Sequence, residues 1–124
     1  MTASFKELDG TVTLAEQMQS NSDEPVVLIN VFHVAPEEAN ALVDAWAHDA
    51  EIMKAQPGYI STQLHRGIEG SSTFFNYAIW ESVAAFRAAF TNPEFQSRIG
   101  EYPESAVASP HLFEKMGVAG LCVA

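Results

Sequence analysis

The run VVLINVFHV, Val26 to Val34, constrains this chain more than any other stretch. It is β-branched, of strand length, and apolar at odd and even positions alike. Successive residues of a strand point to opposite faces, so both faces of this one need cover. A chain of 124 residues holds one core, so the strand is expected at the centre of a single domain. The residues before it, 1–24, are polar and rich in Ser, Asp, Glu and Gln; they read as an N-terminal arm, with 25–124 as the folded domain. Within the arm, TLAEQMQS (Thr13 to Ser20) has helical spacing, with Leu14 and Met18 on one side.

The remaining elements fall into place around that strand. Pro36 stands where a first helical residue would, with Glu37 and Glu38 in the turn that the helix dipole favours for acids. Ala39, Leu42, Val43, Trp46, Ala50 and Met53 then recur at steps of three and four, and Pro57-Gly58 stops the helix. YISTQLHRG (Tyr59 to Gly67) alternates, with Ile60, Thr62 and Leu64 against Tyr59, Ser61, Gln63 and His65. A glycine-bearing turn leads to TFFNYAIW (Thr73 to Trp80), so the two strands form a hairpin. Ser82 is an N-cap for VAAFRAAF, and Asn92-Pro93-Glu94 starts a further helical segment, EFQSRIGEY. YPESAVASP (Tyr102 to Pro110) reads as loop, and HLFEKMGVAGLCV (His111 to Val123) as a last strand.

Strand, helix, strand, strand, helix, strand is the order of an α+β, ferredoxin-like βαββαβ fold: an antiparallel sheet with helices on one face. The other face carries Val27, Ile29, Val31, Phe75, Tyr77 and Ile79. An apolar sheet face without helices predicts packing against a second copy, sheet to sheet, as a homodimeric α+β barrel.

Charge and composition exclude several functions. Net charge is −10, from 16 acids against 6 bases, so nucleic acid and anionic membrane surfaces are poor partners. The single cysteine, Cys122, allows neither an internal disulfide nor a cysteine metal cluster. MTASFKELDG lacks the basic region and apolar run of a signal peptide, and no apolar stretch is long enough to span a bilayer, so a cytoplasmic location is expected. His33, His48, His65 and His111 have no metal-site spacing, and the glycine-rich nucleotide loops and the nucleophile elbow are missing. No metal or nucleotide is expected.

Face parity gives the functional clue. Asn76 and Trp80 share a face with Phe74 and Ala78, and Asn30 and Phe32 share one with Leu28. Two amides and an indole then meet beneath the helices. Taken singly, each has a bland explanation: a buried Asn bonds nearby backbone, and an indole N–H finds a carbonyl. Two amides beside an indole favour a ligand cavity. His65 and His111, at strand ends, are candidate general bases, and Arg98 alone reads as a surface arginine.

PGYISTQLHRG…NYAIWES, Pro57 to Ser82, resembles the antibiotic biosynthesis monooxygenase family. The likeness spans residues 26–119 and rests on the PG at the helix end, the hairpin, and N-x-x-x-W-E-S running into an "AF" helix. It implies the ferredoxin-like fold, the barrel dimer and a pocket between helices and sheet, and chemistry without flavin, haem or metal. Among cofactor-independent anthrone-oxidising members the motif Asn and Trp hold the substrate carbonyl and the oxygenated intermediate, which implies those roles for Asn76 and Trp80. Arg98, five residues after Pro93, is the matching third catalytic residue, and Asn30, Phe32, Phe74 and Phe86 are the expected substrate-binding residues. Phe86 stands where those members carry a tyrosine, so a phenol that would relay a proton is lost. A haem-degrading branch shares an Asn at the position of Asn30, but this chain has Ala89 and Ile99 where that branch has Trp and His. The resemblance therefore implies a homodimeric monooxygenase acting with O2 on a small anthrone- or quinol-like aromatic. Two alternatives stand beside it: a dimer that binds a small hydrophobic molecule without turnover, and a structural dimer whose pocket is blocked by Phe32, Phe74 and Phe86.

Overall fold

The computed structural model describes residues 3–124. Its elements are β1 (Ser4–Phe5), α1 (Leu14–Gln17), β2 (Val26–His33), a 3-10 turn (Pro36–Glu38), α2 (Ala39–Met53), β3 (Tyr59–Arg66), β4 (Thr73–Trp80), α3 (Val83–Phe90), α4 (Pro93–Ile99) and β5 (Val107–Phe113). The sheet order is β1-β5-β2-β4-β3, so the four long strands have the ferredoxin-like arrangement and β2 lies in the middle, between β4 and β5. Caps fall where the residues place them. The Ser82 hydroxyl accepts from Ala85 N–H at 3.1 Å, and the Asn92 side chain accepts from Glu94 N–H at 2.8 Å ahead of Pro93.

Two expectations need correction. The sheet is mixed rather than purely antiparallel, because β1 pairs with β5 in parallel. The last strand begins at Val107, inside the stretch read as loop, and ends at Phe113; residues after it form only an isolated bridge between Val118 and Cys122. Pro110 disguised this strand. A proline cannot donate to a ladder, and it is tolerated in β5 because β1 pairs only with Val107 and Ala108 and leaves Pro110 without an outer neighbour.

The arm packs on its own chain. Thr13 and Glu16 form a reciprocal capping box around α1, which turns Leu14 into the core. The Gln17 carboxamide donates to Leu112 O and accepts from Leu112 N–H, both at 2.9 Å, as a neighbouring strand would. An Arg87 guanidinium N–H donates to Met18 O and ties α1 to α3.

Gly58 fixes how closely α3 approaches the hairpin. Its φ of +87° is left-handed, and a Cβ there would lie 2.3 Å from the Ala85 Cβ. Gly58→Ala is expected to cost about 2–4 kcal/mol from backbone strain and overpacking. Urea unfolding measures this; a loss under about 1 kcal/mol would mean that α3 moves aside.

Side chains beneath the helices form two clusters. One gathers Leu14, Leu28, Trp80 and Phe86; the other gathers Phe32, Leu42, Phe74 and Tyr102. Between them β2 and β4 bring Asn30 directly opposite Asn76. That polar rung belongs to neither cluster, and it places the cavity described next. The opposite sheet face leaves Phe75 and Tyr77 exposed, with Val27, Ile29, Val31 and Ile79 half-buried. No helix among the described residues is long and apolar enough to cross a membrane.

Candidate active site

A cavity of about 60 Å³ opens between the sheet and the helices. β2 supplies Leu28, Asn30 and Phe32 to its wall, and β4 supplies Asn76, Ala78 and Trp80. The helices add Trp46, Asp49 and Met53 from α2, Phe86 and Phe90 from α3 and Phe95 from α4, with Tyr102 from the following loop. β3 contributes Tyr59 and Thr62 on the same side. The register shifts between Tyr59 and Ser61, so Tyr59 faces Trp80 and packs on it edge-on at 5.7 Å, while Ile60 is left outside, about half exposed. Alternation groups Ile60 with Thr62, which lines the cavity; the bulge puts Tyr59 there instead.

The polar atoms of this wall are unevenly satisfied. The Thr62 hydroxyl donates to Asn76 Oδ1, which leaves the Asn76 amide N–H groups as its remaining donors. Trp80 Nε1, Asn30 Oδ1 and Asp49 Oδ1 are buried without any hydrogen-bond partner. Orphans of this kind are rare, because each costs about 1–3 kcal/mol. Three on one small cavity are explained together if a ligand supplies the partners. The Trp80 indole, only 1% exposed, does not find the backbone carbonyl that an ordinary packing role would give it.

Asp49 is the residue that sequence reasoning missed. It is 9% exposed, and its Oδ2 accepts from the Tyr102 hydroxyl at 2.7 Å. Burial pushes its pKa up to about 6; the Tyr102 hydrogen bond pulls the other way, and Glu101 nearby adds to the rise. Burial and the Asp49 charge in turn push the Tyr102 phenol far up. Tyr102 is stacked on Phe32 at 5.6 Å, which fixes the hydrogen bond from below. A signal existed in the sequence: Leu42, Ala45, Asp49 and Ile52, all buried, follow helical steps of three and four, and an acid at such a position demands an explanation. Of the stripe expected from spacing, Ala39 and Leu42 are buried, while Val43, Trp46, Ala50 and Met53 are half-buried.

Asn30, Phe32, Asn76, Trp80 and Phe86 are thus brought together, and Phe74 and Arg98 are not. Phe74 lies in the second cluster with the Arg66 guanidinium 5.0 Å over its ring. Arg98 sits outside the lining and bonds Glu101 at 3.0 Å and His48 at 3.2 Å. Its place on α4 turns it toward the C-terminal end of α2 rather than toward the sheet. The two histidines considered as bases also stay outside the lining. His65 stacks on Phe75 at 4.4 Å, and His111 is held by Gln17 at 3.1 Å on the face of Ile29.

Phe90 determines how much room there is. It lines this cavity, a second of about 40 Å³ beside Asp49 and Tyr102, and a third of about 220 Å³ against Phe5, Leu14 and Met18 of the arm. A void of roughly 150 Å³ is needed to take even benzene. The chamber beneath Trp80 alone is therefore too small for an aromatic ring, and Phe90 is the side chain that borders all three spaces.

Comparison with known proteins places this arrangement. The profile of the antibiotic biosynthesis monooxygenases matches residues 25–98. The chain belongs to that family. It is 37% identical over 78 residues to the tetracenomycin-F1 monooxygenase of Streptomyces glaucescens, covering 62% of this chain and 69% of that one. It is 30% identical over 90 residues to a mycobilin-producing heme oxygenase of Mycobacterium tuberculosis, covering 73% and 86%. The crystal structure of SnoaB, a cofactor-independent oxygenase from Streptomyces nogalater, superposes with a TM-score of 0.67 at 25% identity, over 78% of this chain and 98% of SnoaB.

The second relative raises haem as an occupant, and the cavity does not suit it. No histidine or cysteine lines it to ligate the iron.

Proposed function

We propose that this chain is a cofactor-independent monooxygenase that uses O2 to oxidise a small aromatic of the anthrone or quinol type. The unpartnered Trp80 N–H in an apolar cavity carries this reading. With Phe90 turned aside to join this cavity to its neighbours, an aromatic ketone held beneath Trp80 develops charge on its oxygen when it is deprotonated. Trp80 Nε1–H and the Asn76 amide are neutral donors for that oxygen, in a site where few water molecules compete. The resulting enolate is electron-rich enough to reduce O2 by itself. Overall, a ring methylene and one molecule of O2 give a ring carbonyl and one molecule of water, which balances without a flavin or a metal. The names of the tetracenomycin-F1 monooxygenase and of SnoaB support an oxygenase of this kind.

Oxygen uptake by the purified protein over a panel of anthrones and hydroquinones tests the reading, after spectra have established which chromophores are present. No uptake with any of them, together with tight quenching of tryptophan fluorescence by the same compounds, would make it a binding protein instead.

The sheet face bearing Phe75 and Tyr77 fits a second copy of this chain, as a two-sheet barrel. Sedimentation equilibrium is expected to give twice the chain mass at micromolar concentration; a monomer there would remove the barrel. An exposed free thiol at Cys122 suits a reducing, cytoplasmic setting.

A further inference from the structure

We propose that Asp49 is the catalytic base, taking the substrate proton on Oδ1 and later returning it to oxygen. This deepens the monooxygenase reading and rests on it. Asp49 lies in the wall shared by the chambers of about 60 and 40 Å³, on the helix side of the space whose sheet side carries Trp80 and Asn76. Its two oxygens differ. Oδ2 is committed to the Tyr102 hydroxyl at 2.7 Å, which orients the carboxylate, and Oδ1 has no partner. A buried acid kept for structure alone would have both oxygens bonded. The histidines offer no substitute, since none lines the cavity.

The remaining charged and titratable neighbours are few. After α4 stand Tyr102 and Glu101; Glu101 is itself held by His48 of α2 and Arg98 of α4. Tyr59 of β3 is across the cavity. The cavity faces of β2, β4 and α3 present the neutral side chains Asn30, Phe32, Asn76, Trp80, Phe86 and Phe90. A carboxylate held in such surroundings keeps a pKa nearer that of its substrate than a solvated one does, and proton transfer is easier for it.

The proton bookkeeping closes on one residue. Asp49 Oδ1 removes a proton from the ring methylene, and the electron pair stays on the substrate as an enolate. The enolate passes its electrons to O2, and a C–O bond forms, leaving a peroxide anion that takes the proton back from Asp49. Asp49 then removes the second proton from the same carbon as the O–O bond breaks. The carbonyl forms, and the departing hydroxide takes that proton and leaves as water.

The test compares wild type, Asp49→Asn and Tyr102→Phe, with kcat followed from pH 4.5 to 8.5. Asn keeps the acceptor for Tyr102 but cannot take a proton, so kcat is expected to fall roughly 10²- to 10³-fold. Wild type is expected to show an acidic limb with its midpoint at about pH 6. Tyr102→Phe removes a hydrogen bond that holds the Asp49 pKa down, so its limb moves to higher pH while the plateau persists. A merely structural Asp49 would not link Tyr102 to the limb. If Asp49→Asn does not fold, the Tyr102→Phe shift decides. Active wild type with Asp49→Asn at full rate, or a limb unmoved in Tyr102→Phe, overturns the base. A wild type that takes up no oxygen overturns the monooxygenase reading and this inference with it.

Discussion

Trp80→Phe is expected to lower kcat/KM about 10²- to 10³-fold, the usual effect of removing one donor to a developing oxyanion. Phenylalanine keeps an aromatic ring in a site that is 1% exposed and packs edge-on with Tyr59 and Phe86. It removes only the N–H that has no partner in the protein. Loss of that orphan offsets part of the smaller ring's packing deficit, so Tm should move by only a few degrees. Asn76→Ala should cost a similar factor in rate, but it also strands the Thr62 hydroxyl, so its stability should drop by about 1–2 kcal/mol. If both donors serve one oxygen, the double variant should lose much less than the product of the two losses. Steady-state oxygen uptake by the three variants decides. A Trp80→Phe enzyme within about threefold of wild type would remove the indole from the mechanism.

The second large effect is on stability, with the sign opposite to that on rate. The Asp49 pKa rises from the ordinary 3.8 to about 6 on folding. A group whose folded pKa is raised favours the fold when protonated. Its contribution is complete below pH 3.8 and is lost as pH climbs through about 6. The shift corresponds to up to about 3 kcal/mol. Asp49→Asn should therefore be more stable than wild type above pH 6 by up to that amount, and the gap should close toward pH 4. Urea midpoints at pH 4, 5, 6 and 8 measure it. A gap that does not depend on pH would show that Asp49 is not held against its ionisation. Gain in stability with loss of turnover is what a strained functional group gives when neutralised.

Much of this architecture is legible in the residues. The β2 run, the caps at Ser82 and Asn92, and Pro36 ahead of α2 each act through local chemistry that a sequence displays. The parity of Asn30, Asn76 and Trp80 follows from strand geometry, and the structure puts the two amides on one rung. What escaped depends on partners distant in the chain. Pro110 sits in a strand because of where β1 stops, at the chain's other end. Tyr59 reaches the cavity through a bulge that simple alternation does not reveal. Asp49 pairs with Tyr102, 53 residues on, in a stretch that reads as loop. Arg98 stays outside the lining because α4 turns it to Glu101, and Phe74 because it packs beneath the Arg66 guanidinium; neither contact is visible in spacing.

The closed outer edge of β5 has a consequence for assembly. β1 covers Val107 and Ala108, Pro110 has no N–H to offer, and Gln17 takes both backbone groups of Leu112. Among the described residues the far edge, β3, is the one long strand that still presents an unpaired row of backbone groups. A unit with two such edges can add copies without end, as a fibre does; a unit with one can pair once and then has nothing left to offer. The short arm thus acts as a chain terminator for sheet growth. Edge-to-edge pairing through β3 could then join two copies and no more.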